Sequence, residues 1–131
     1  MKKCIYHYTL CLLVFFIACK DQSKKDPILE EAFGIHKESI DIAAKAVKYL
    51  EKLPAQDTMR TIFETRLQDW GENMVEVPGF HYHHDGLGHH HGRTPLKLVP
   101  NDMLLLQKEF KDSIQSIYQM ILDYEDELNS Q

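Results

Sequence analysis

The chain has 131 residues, 44% of them hydrophobic and 27% charged, which is room for one domain. Fifteen Lys and Arg against twenty Asp and Glu leave a formal charge of −5, and no basic run is present. Nucleic acid is therefore not an expected partner, because its binding depends on neutralising phosphates. The compositional outlier is histidine: of eight in the chain, six (His81, His83, His84, His89, His90 and His91) fall within eleven residues.

Taken in chain order, the first segment reads as an address. Met1-Lys2-Lys3 is a short basic start, followed by a mostly apolar stretch from Cys4 to Ile17. That stretch is shorter than the roughly 20 apolar residues a bilayer span needs, and suits a secretory signal instead. It ends in Phe16-Ile17-Ala18-Cys19. An apolar pair, a small residue and a cysteine resemble a bacterial lipoprotein signal, in which the cysteine receives lipid and becomes the new N-terminus; Phe16 stands where Leu is usual. Residues 1–18 are the expected signal peptide and Cys19 the expected lipidation site.

Processing at Cys19 changes the arithmetic. Removal of 18 of the 131 residues leaves 113, takes away Lys2 and Lys3 but no acid, and moves the charge from −5 to −7. Cys4 and Cys11 leave with the signal, so the mature chain has no free thiol and no disulfide to form. Lys20-Asp21 after the anchor partly resembles the surface-export signal of Bacteroidota lipoproteins. Residues 19–26 read as a polar tether, reaching at most about 3.5 Å per residue.

The helical domain is expected over residues 27–128. Asp26-Pro27 is a helix start: the Asp side chain accepts from free amides, and Pro fits the first helical position. Leu29, Phe33, His36, Ile40, Ala43, Val47 and Leu50 recur at spacings of four and three, the mark of a helix packing along a seam. Pro54 is expected to end it at about Leu53. A second helix is predicted from Asp57 or Thr58, with Met59, Ile62, Phe63, Leu67, Trp70, Met74 and Val77 as its apolar face, stopped by Pro78-Gly79. A third is predicted from Pro100, with Met103, Leu106, Phe110, Ile114, Ile117, Ile121, Tyr124 and Leu128 as its stripe. No segment reads as a strand pair. The expected fold is all-α, an up-down-up three-helix bundle or a long helical hairpin. Its core is modest, which leaves room for a homo-oligomer.

Residues 78–99 form a 22-residue connection between the second and third helices. Bundle connections usually take about 2–8 residues, and those beyond about 12–15 are usually functional or disordered. All six clustered histidines lie here. Neutral imidazole is the commonest metal-ligating side chain and suits Zn, Cu and Ni. Gly79, Gly86, Gly88 and Gly92 let the backbone turn several rings toward one ion, and Asp85 adds an oxygen. Glu72 and Glu76, at the end of the second helix, and His36 on the first are further ligand or orienting candidates. His36 reads first as a satisfied core or boundary histidine and only second as a ligand. No HExxH or paired-Cys motif fixes a ligand set.

Two other readings stand beside metal binding. Histidine changes charge near pH 6.5, so the loop could respond to pH. Alternatively the chain is a structural or interaction protein with an incidental loop. No organic cofactor is implied. No Ser-His-Asp or Cys-His arrangement or phosphate loop is visible, and an enzyme is not expected.

The segment Asp69-Trp70-Gly71-Glu72-Asn73-Met74-Val75-Glu76-Val77-Pro78-Gly79-Phe80, running into the His-rich stretch, resembles small Bacteroidota lipoproteins of unknown function. More loosely, the chain is similar to helical lipoproteins labelled viral A-type inclusion protein. The resemblance implies an envelope location and a helical fold, with no established activity or catalytic residue. With lipid on Cys19, the expected place is the outer membrane, on its periplasmic or surface face.

Overall fold

A computed structural model describes residues 26–80 and 96–130; the signal segment, Cys19 and the tether up to Lys25 lie outside them. Among the described residues the fold is all-helical, with α1 at Pro27–Leu50, α2 at Thr58–Asn73 and α3 at Pro100–Asn129. Each start has a local cause. The Asp26 carboxylate accepts from the Ile28 amide at 2.8 Å, and Pro27 needs no amide partner. Asp57 caps α2 in the same way, through the Met59 amide at 2.8 Å. Pro100 opens α3 with no side-chain cap.

The ends differ from the sequence expectation. α1 stops at Leu50 and not near Leu53. A residue before proline is disfavoured in the helical region, so the chain leaves early through tightened bonds from the Lys52 amide to Tyr49 and the Leu53 amide to Leu50. Arg60 of α2 then donates to the Leu53 carbonyl at 3.0 Å, closing the corner. α2 stops at Asn73 and not at Val77; Met74 is already extended, with ψ 140°. Val77 is buried all the same, but on an irregular segment.

The paired residues give the helix directions. Glu31–Lys108, Glu38–Lys111 and Lys52–Glu125 ascend together along α1 and α3, so these helices run parallel. Asp57–Tyr124, Arg66–Met120 and Trp70–Phe110 run in opposite order, so α2 is antiparallel to α3. The α1–α3 interface is the most extensive. Its ion pairs are largely exposed and contribute about 0–1 kcal/mol each. Apolar burial carries the fold: a fully buried Phe or Ile is worth about 1.5–3 kcal/mol, and Phe63, Ile114 and Ile121 are among the most enclosed side chains.

The seam of α1 is Ala32, His36, Ser39, Ala43, Ala46 and Leu50, all buried, at spacings of four and three. The predicted stripe is buried at His36, Ile40, Ala43 and Leu50, whereas Leu29, Phe33 and Val47 flank the seam half-buried. Small residues on the seam let the helix axes approach, and larger neighbours wrap the sides. Ser39 is fully buried and donates its hydroxyl to the Ile35 carbonyl at 2.9 Å. On α3 the seam runs Met103, Gln107, Phe110, Ile114, Ile117 and Ile121, the glutamine fully buried. Two expected core positions are exposed instead: Ile62, on the outer side of α2, and Leu128, in the last turn of α3.

Two apolar clusters result. The larger joins all three helices around Phe63, Leu67, Trp70, Ile114 and Ile121. The smaller closes the end where α1 begins. There Ala32, Val77 and Met103 are buried, with Leu29, Phe33, Phe80 and Leu98 packed against them.

Candidate functional site

The smaller cluster roots the long connection. The Phe80 amide donates to the Val77 carbonyl at 3.2 Å, with Pro78 and Gly79 between them. Gly79 has φ +80°, so this is a turn with proline second and a left-handed glycine third, as type II requires. The turn delivers the Phe80 ring onto Phe33, centroids 4.7 Å apart. Leu98 packs into the same cluster from the other side of the connection. Both roots therefore stand against the first turns of α1, as the chain topology anticipates.

Between the roots, His81, His83, His84, His89, His90, His91 and Asp85 lie outside the described residues. The remaining candidates are described. Glu72 and Glu76 are exposed, and Glu72 accepts from the Gln68 amide at 2.8 Å. His36 is buried, only 3% exposed. Among the described residues, no three His, Cys, Asp or Glu side chains come together as a metal-sized group. The described part of the fold thus does not bring His36, Glu72 and Glu76 together around an ion.

His36 has a definite role in the core. Its Nδ1 is 3.1 Å from Gln107 Oε1, and Gln107 Nε2 donates to the Val75 carbonyl at 2.7 Å. The carbonyl only accepts, which assigns the amide nitrogen of Gln107 to that side and its oxygen to His36. An amide oxygen also only accepts, so His36 carries its proton on Nδ1. One side chain thereby ties α1, α3 and the segment leaving α2 together, one residue before Glu76 and five before Phe80. Sequence reading passed over Gln107 because it scores as polar; the available signal was its seam position, four residues after Met103 and three before Phe110.

At the opposite end, Asp57 serves two elements. Its Oδ1 caps α2, while Oδ2 accepts from the Tyr124 hydroxyl at 2.8 Å. That bond to a carboxylate, with desolvation and the negative charge of Asp57 behind it, raises the Tyr124 pKa above the ordinary 10.0. Desolvation, followed by the neighbouring Tyr49, raises that of Tyr118 as well. A shallow open groove lies between α2 and α3, with Trp70, Phe110 and Ile117 on its floor and Arg66, Asp69 and Glu109 on its rim. The Trp70 indole N–H is turned away to the Phe110 carbonyl at 3.0 Å, consistent with a packing role.

Comparison of the chain with protein-family models, curated proteins and solved structures gives no match. No helix among the described residues is long and apolar enough to cross a membrane.

Proposed function

We propose that this protein is a bacterial envelope lipoprotein, held by lipid on Cys19, that binds or buffers a divalent transition metal (Zn, Cu or Ni) through the histidines of its long connection. The observation that carries the reading is the density of imidazoles. Six lie within eleven residues, interleaved with glycines, on a connection far longer than two packed helices need. The firm packing of both roots supports it, since Phe80 and Leu98 hold the two ends of the segment against one end of α1. In this reading the helices are a stand, the loop is the binding element and no reaction is catalysed.

Titration calorimetry on the mature chain from Cys19 onward tests this directly. Zinc, copper or nickel should bind with micromolar or tighter affinity. Replacing His81, His83, His84, His89, His90 and His91 together with Ala should abolish that binding while leaving the helical circular dichroism unchanged. Metal affinity that survives the sixfold replacement refutes the assignment.

A further inference from the structure

We propose that the end of the bundle where α1 begins lies on the membrane surface, with Leu96, Val99 and Leu105 as its lipid-contacting residues. This rests on the anchoring at Cys19 proposed above and adds to it an orientation and a contact surface. Five large apolar side chains are conspicuously exposed among the described residues, and three of them are these, at 48%, 60% and 58% exposure. Scattered exposed apolar residues need no explanation, but these share one end of the molecule. Leu98, between Leu96 and Val99, packs into the cluster that holds Leu29 and Ala32 of the first turns of α1. Leu105 stands six residues beyond Val99, about 9 Å along the α3 axis.

Tether length selects the occupant. Seven residues from Cys19 to Lys25 separate the anchor from Asp26. Fully extended they span about 25 Å, whereas α3, with 30 residues, is about 45 Å long. The lipid-attached chain therefore keeps the α1 start within about 25 Å of the bilayer, whereas the far end is held only through the length of the bundle. The apolar residues at the held end meet lipid, and their partition into the interface adds to the hold of the anchor. Ile62, also exposed, stands at the start of the second turn of α2, toward the far end, and is the internal control.

Photocrosslinking tests the contact. The unlipidated chain from Cys19 onward, whose single thiol is Cys19, is coupled to a maleimide phospholipid in phosphatidylcholine vesicles. Benzoylphenylalanine replaces Val99, Leu105 or Ile62, and the helical circular dichroism of each variant is checked before irradiation. Phospholipid adducts, read by mass spectrometry, should be several-fold more abundant at 99 and 105 than at 62. Equal yields at the three positions overturn the proposal, and so do adducts at 99 and 105 to a second copy of the chain in place of lipid. Because the anchor is attached chemically, these outcomes do not depend on acylation in the cell. The mass of the N-terminal peptide from cell-derived protein tests that separately, and an unmodified Cys19 there would refute the anchoring without altering the vesicle result.

Discussion

Gln107→Leu is the most informative single substitution in the fold. Leucine is close in volume to glutamine and suits an α-helix, so the change removes hydrogen bonds with little change of shape or propensity. The consequence follows from what is left behind. His36 Nδ1–H loses its acceptor at a buried site, and the Val75 carbonyl loses its donor at a part-buried one. An unpaired buried polar group costs about 1–3 kcal/mol. The histidine belongs near the upper figure, and the carbonyl, which water can reach, near the lower. Added apolar burial by leucine offsets a fraction. The expected loss is about 2–4 kcal/mol, a large share of the roughly 5–15 kcal/mol available to a domain.

Urea unfolding followed by circular dichroism, on the mature chain with Cys19→Ser, measures this as a fall in midpoint at constant slope. The double variant His36→Leu, Gln107→Leu sharpens the reasoning. Replacing both members of a pair removes the unpaired group, so the double variant should be about 1–2 kcal/mol more stable than the sum of the single effects implies. A Gln107→Leu chain within about 0.5 kcal/mol of the parent would refute the assigned network, as would strict additivity in the cycle.

Further expectations follow from the same contacts. Asp57→Ala removes the α2 cap and the Tyr124 acceptor together and should cost about 1–2 kcal/mol in the same unfolding assay. It should also bring the Tyr124 pKa down toward 10.0, visible in the pH dependence of its ring NMR signals. Because folding raises that pKa, the stability linked to it is fully present below pH 10 and is lost as pH rises from there toward the folded value. Alkaline unfolding of the parent should therefore begin in that window, and Asp57→Ala should show a weaker slope there. Ala46→Leu places a large side chain at a fully buried position of the α1 seam and should cost about 1–3 kcal/mol by overpacking. Gly79→Ala puts a Cβ on a backbone at φ +80°, although nothing stands within 4 Å of it; it should cost about 1 kcal/mol through the turn alone and loosen the Phe80–Phe33 contact.

Helix identity was legible in the sequence because its causes are local. Asp26-Pro27, Asp57 and Pro100 act within a turn of themselves, and each marks a helix start in the structure. The ends were less legible. The residues from Met74 to Val77 keep a helical spacing of apolar groups. Their extended path is held by Gln107, 32 residues away, and by the proline that follows. The α1 seam was legible in part: His36, Ile40, Ala43 and Leu50 are buried as their spacing predicts. Reading by hydrophobicity also favours Leu29, Phe33 and Val47, whereas the packed face takes in the small residues Ala32, Ser39 and Ala46 instead. Which residues border another helix most closely depends on that helix, and the α1 sequence contains only half of the interface.

The position of the histidine connection follows from the same partition between local and distant causes. Its composition is evident from residues 78–99 alone, but its placement depends on α2 returning antiparallel to α3 and on α1 and α3 running parallel. Those directions are marked by pairs such as Asp57–Tyr124 and Lys52–Glu125 at one end, and by the Gln107 clasp and the Phe80–Phe33 stack at the other. Together they bring both roots of the connection to the end from which the tether departs. Under the proposed function, a lipid on Cys19 would then attach at the end of the bundle where the connection is rooted.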